Sequence, residues 1–151
     1  MKHLSTSVKA IIVASMACAA GLATAGGTTI LAVTASVNGV CKFSAVTQPL
    51  ALGAIDPSLT TDVTASASVL YKCTNKTTSL GITAPAGQRT MVSGTDTLLY
   101  TLAITGDKSQ GLGFGTGKDL TATVTGTITA SQYQNAAVGS YTENVILTIA
   151  P

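Results

Sequence analysis

Past its first 25 residues the chain is written in period two. Thr29 to Val37 alternates Leu31, Val33, Ala35 and Val37 with mostly small or polar neighbours, and the last stretch repeats the device with Glu143, Val145, Leu147 and Ile149. Alternation of this kind is the mark of a strand with one buried face, and almost nothing in the chain follows the helical period. The candidate strands are Thr29 to Val37, continuing through Val40 to Val46; then Val63 to Cys73, Ser79 to Thr83, Thr97 to Ile104, Leu120 to Thr129 and Tyr141 to Ile149. Turn chemistry separates them: "GAIDPS", "CTNKT", "APAGQ", "VSGTD", "TGDKSQGLGFGTGKD" and "NAAVGS" supply glycines, prolines and Asn or Asp side chains that close β-turns. An all-β fold is expected.

The first 25 residues read as an export signal. Lys2 and Lys9 flank a polar start, an apolar run follows from Ala10 to Ala20, and Ala23-Thr24-Ala25 fits a signal peptidase site, so the mature chain begins at about Gly26. The run falls short of the roughly 18 to 20 residues that span a bilayer, and no membrane insertion is expected. A lipoprotein signal around Cys18 would want a large aliphatic residue where Ser15 stands. Lys2, Lys9 and the single histidine, His3, leave with the signal. Of eight Lys and Arg, six then remain against six Asp and Glu. A balanced chain argues against nucleic acid or an anionic membrane surface as partner.

The cysteines narrow the chemistry further. Cys18 goes with the signal, and the even pair that remains in an exported protein, Cys41 and Cys73, is expected to form a disulfide. A zinc site would need more ligands than two sulfurs, and no metal or cofactor is expected. Serines are plentiful but no histidine remains to activate one, and the acids stand beside turn residues without forming close pairs, so the chain does not read as an enzyme. The loop "GLGFGTGKD" departs from a phosphate loop twice: Leu112 occupies the first glycine position, and Asp119 follows Lys118 where a Ser or Thr would bind Mg²⁺. An outer-membrane barrel would carry aromatic girdles that two Phe and four Tyr cannot supply, and no fixed internal repeat is present.

The strand count has its own oddity. Setting aside the segment before Cys41, six candidate strands remain where an Ig-like sandwich carries about seven. The expectation is therefore one strand to spare at the N-terminal side and one missing at the C-terminal side.

In order and spacing, "VTASVNGVC", "PLALGAIDPS", "SASVLYKCTN", "RTMVSGTDTLLYTL" and the closing "GTITASQYQNAAVGSYTENVILTI" resemble the spore coat protein U domain family. That family includes the Csu-type subunits of archaic chaperone-usher pili. The resemblance covers the mature chain, with departures at Leu52, Ile55, Ile104, Glu143 and the Ala-Pro end. It implies a cleaved signal over 1–25, a donor strand over 26–37 and an incomplete Ig-like β-sandwich over 38–151. In such a domain the last strand is missing and is supplied by donor-strand exchange. The residues expected to enter a neighbour's groove are Thr29, Leu31, Val33, Ala35 and Val37; the acceptor edge is expected at Tyr141, Val145, Leu147 and Ile149. The partners implied are copies of the chain or homologous pilins, a periplasmic chaperone and an outer-membrane usher, with transit through the periplasm to a cell-surface fimbrium serving adhesion or biofilm formation. The alternative is a secreted, self-contained Ig-like binding module or coat protein. Tyr141 is expected to anchor its turn through its hydroxyl, as corner tyrosines of Ig sandwiches do.

Overall fold

A computed structural model describes residues 26–44, 49–85 and 87–151; the expected signal over 1–25, with Cys18, lies outside the described residues. The chain divides into a unit ending at Ala35 and a compact unit over Ser36–Pro151.

In the first unit, residues 26–35 form neither strand nor helix, and Leu31 and Val33 are 83% and 82% exposed. The strand expected over Thr29 to Val37 is therefore not formed here. A strand exists by virtue of a partner for its N–H and C=O groups, and among the described residues this stretch has none.

The second unit is built from seven strands: β1 (Cys41–Phe43), β2 (Val63–Cys73), β3 (Gly81–Thr83), β4 (Arg89–Ser93), β5 (Asp96–Thr105), β6 (Leu120–Ile128) and β7 (Thr148–Ala150). Five of them form one antiparallel sheet in the order β1-β2-β6-β5-β4, and β3 pairs with β7 in a second. The all-β expectation holds. Strict alternation places Ala67, Val69, Tyr71 and Cys73 of β2 on the inner face, opposite Ala122 and Val124 of β6. Ile82 of β3 and Leu147 and Ile149 of the last segment pack on that face, so the two sheets share one core. A second cluster, Leu98, Tyr100, Ile128 and Tyr133, closes the end where β5 begins and β6 ends.

Two elements exceed what the alternation predicted. Arg89–Ser93 forms β4, raising the strand count from six to seven; it joins β5 through Gly94 and Thr95, with Gly94 at φ 59° in the first turn position, as a type II′ hairpin requires. The other is a single helical turn, α1 (Ala130–Tyr133), where Thr129 N–H donates to Gln132 Oε1 and Ala130 N–H donates to Asp62 Oδ1. Conversely, the strand expected over Tyr141 to Ile149 is laddered only at its ends. Thr142 bridges to Val92 and β7 pairs with β3, while residues 143–147 carry no ladder.

Cys41 and Cys73 are bonded, with Cα atoms 4.1 Å apart as facing residues of β1 and β2. The glycine-rich loop is a structural connector between β5 and β6. It packs on the turn after β2 through Gly111 N–H to the Thr77 carbonyl and Gly113 N–H to the Cys73 carbonyl.

Candidate functional site

The inner face of the larger sheet is not covered along its whole length. An apolar groove of about 500 Å³ runs over Ala67, Val69, Tyr100, Leu102 and Val124, walled on one side by Pro49, Leu50 and Leu52 and on the other by residues 141–145 and Leu147. A second hollow of about 650 Å³ continues it over Leu98, Ile128 and Tyr133; the two share Leu50, Leu52, Met91 and Tyr141.

Among the described residues, neither wall carries a ladder. Among the described residues, 49–55 and 143–147 make no backbone-to-backbone hydrogen bond, although both alternate: Leu50, Leu52, Val145 and Leu147 turn inward while Ala51, Asn144 and Ile146 face out. Two unpaired strand edges on either side of an apolar floor are a template for an added strand. Gly126 lets the first wall lie low, because a Cβ there would come within 2.8 Å of Leu50 Cδ2.

The structure brings the expected acceptor residues together. Tyr141, Val145 and Leu147 line the groove, and Ile149 continues the wall as β7. All four are half-buried. Tyr141 Oη donates to the Ala137 carbonyl at 2.7 Å and so fixes the corner by which the chain enters this wall. The expected donor residues, Thr29, Leu31, Val33, Ala35 and Val37, are all exposed.

Other groove residues were missing from the sequence expectation. Leu50 and Leu52 form the opposite wall, and the only hint of it is their own short alternation. Glu143 is the charged member of the inward series. Its Oε1 accepts from Arg89 Nη2, and Arg89 Nε donates to Tyr100 Oη at 3.3 Å. Glu143 Oε2 is buried without a partner among the described residues. The hydrogen bond to Glu143 raises the Arg89 pKa above its usual value. Burial, with the Glu143 carboxylate beside it, pushes the Tyr100 hydroxyl up as well.

This arrangement suits apolar burial and main-chain pairing. Among the described residues, no group of three His, Cys, Asp or Glu is placed to hold a metal ion, and no helix is long and apolar enough to cross a membrane. Comparison with protein-family models, curated proteins and solved structures finds no match to this chain.

Proposed function

We propose that this chain is a structural subunit of an extracellular pilus, assembled by the chaperone-usher pathway through donor-strand complementation and serving adhesion or biofilm formation. The observation that carries the proposal is a pair of complementary vacancies. Among the described residues, one region offers an apolar groove between two unladdered edges, and another region of the same chain is an alternating segment with no strand partner. The segment of one copy enters the groove of another, with Thr29, Leu31, Val33, Ala35 and Val37 facing the floor. In this scheme the domain is an Ig-like sandwich lacking one strand, as the resemblance to spore coat protein U domains implies. The tyrosine at the corner before the last segment also belongs to such sandwiches. The strand count no longer supports the idea, since β4 makes seven; the unpaired edges do.

The energies are large enough. Burying Leu31, Val33 and Val37 at roughly 1.5 to 3 kcal/mol each gives on the order of 5 to 9 kcal/mol gross. About eight ladder hydrogen bonds at roughly 1 kcal/mol net add a similar amount. Against a domain stability of roughly 5 to 15 kcal/mol, an occupied groove is far more stable than an empty one. Such a subunit needs a periplasmic chaperone to cover the groove in transit and an outer-membrane usher to exchange that cover for a neighbour's strand.

The test is the substitution Val33→Asp in the full chain. Assembly into polymers is expected to stop while the monomer keeps its disulfide and its β-type circular dichroism. Polymers that form as before would contradict the proposal; a wild-type chain that forms no polymers would point to a self-contained module.

A further inference from the structure

The charges of the compact unit are sorted along its strands. Lys42 faces Lys72 where β1 meets β2, Lys76 follows in the turn after β2, Lys108 stands in the loop after β5, and Lys118 lies just before β6. All five are at one end of the larger sheet, joined there among the described residues only by Asp107 and Asp119. Five lysines less two aspartates leave +3 at this end. Asp107 is turned inward to accept from Ile82 N–H, and Asp119 lies 3.5 Å from Lys72 Nζ.

Three aspartates hold the opposite end. Asp62 precedes β2 and caps α1, Asp96 closes the β4–β5 hairpin, and Asp56 sits in the turn whose following residue Leu59 accepts from Tyr133 Oη. All three are exposed, and among the described residues no lysine shares that end, so it carries −3. Arg89 of β4 and Glu143 of the groove wall neutralise each other.

The separation makes this sorting count. β2 alone runs eleven residues, roughly 35 Å at about 3.3 Å per residue. The screening length at physiological salt is about 8 Å, so neither end feels the other within one molecule. Each presents its own charge to whatever approaches. A molecule carrying both signs, one at each end, is complementary to a second copy of itself placed head to tail, and a contact of that kind propagates from copy to copy unless its rotation closes a ring. The connectivity points the same way. The Asn38 carbonyl accepts from Thr74 Oγ1 at the lysine end, so the segment preceding Asn38 leaves the unit from there.

We propose that the lysine-bearing end of one copy docks against the aspartate-bearing end of a second copy. The proposal rests on the fibre reading for its partner, and it adds the surface by which successive subunits meet outside the groove. Exposed rim charges act chiefly on the rate and orientation of encounter, so the effect belongs to assembly kinetics.

A zero-length carbodiimide, which joins carboxylates to amines in contact, is applied to the assembling protein and the products are mapped by mass spectrometry. Cross-links between copies are expected from Lys42, Lys76 or Lys118 to Asp56, Asp62 or Asp96. The assembly rate is expected to fall about tenfold between about 0.1 M and about 1 M salt, as the screening length drops from about 10 Å to about 3 Å. The triple change Asp56→Asn, Asp62→Asn and Asp96→Asn keeps the side-chain acceptors of the turn and the cap, and is expected to slow assembly comparably at low salt. Lys42→Glu with Lys118→Glu should slow it from the other side. Absence of such cross-links, or assembly indifferent to salt and to both sets of changes, overturns the proposal. Val33→Asp separates the two claims. Assembly stopped by Val33→Asp but indifferent to the pole changes removes the pole contact and leaves the fibre reading. Salt-dependent cross-links, with assembly indifferent to Val33→Asp, do the reverse.

Discussion

At the scale of single residues, an ion pair fastens the groove wall to β4 beside the Thr142–Val92 bridge. Among the described residues, 143–147 have no ladder, so Glu143 bound to Arg89 extends the attachment to β4 one residue past Thr142. Arg89→Leu would leave the half-buried carboxylate without its partner and is expected to destabilise the unit by about 2 kcal/mol in urea unfolding. Adding Glu143→Leu to that variant should restore much of the loss, because replacing both members removes the unpaired charge. Tyr100 gives a pH prediction. Its raised pKa means that the folded state holds the phenolic proton more tightly than the unfolded chain does. Its contribution is therefore present below pH about 10 and lost as pH rises through the higher folded value. Thermal unfolding followed across that range should show a drop that is shallower in Tyr100→Phe. None of this was legible in the sequence. Arg89 and Glu143 are 54 residues apart, and no local pattern announces that an inward-facing arginine in one strand is matched by an acid in another.

At the scale of elements, β2, β5 and β6 emerge from alternation almost to the residue, because each has one face in the core and one in solvent. β4 hides because its inner face carries Arg89, Met91 and Ser93, a set that does not read as apolar. α1 hides because four residues cannot show a helical period. The disulfide was legible from cysteine parity alone, and it matters most to β1, which is only three residues long. With its halves 32 positions apart, reduction is expected to cost about 3 to 4 kcal/mol, measured as the denaturant midpoint with and without reductant. The glycine-rich loop is equally specific. A Cβ at Gly111 would meet the Cys73 carbonyl oxygen at 2.6 Å and the Thr74 carbonyl oxygen closer still, both backbone atoms that cannot swing away. Gly111→Ala is expected to destabilise by about 3 kcal/mol in the same assay, as overpacking against fixed atoms does.

At the scale of the whole molecule, the sequence announces one alternating segment more than the fold uses, and the structure leaves Leu31, Val33 and Val37 in solvent beside no ladder of their own. The acceptor wall was legible because its inward residues alternate to the end of the chain. Its counterpart at Leu50 and Leu52 was not, since a wall of two leucines resembles any loop that touches a core. The charge sorting was hidden by the balance of the totals and becomes visible only when the strands are laid in register. The central claim, that residues 29–37 of one copy fill the groove of another, is tested most directly by pairing cysteines between copies. Protein carrying Val33→Cys is mixed under oxidising conditions with protein carrying Leu52→Cys, Val145→Cys or Leu147→Cys in turn. A disulfide between copies with at least one of the three is the predicted result, formed only as polymers form. A thiol introduced by Val33→Cys that stays unpaired with all three, or pairs only within its own chain when both changes are made together, would contradict the claim.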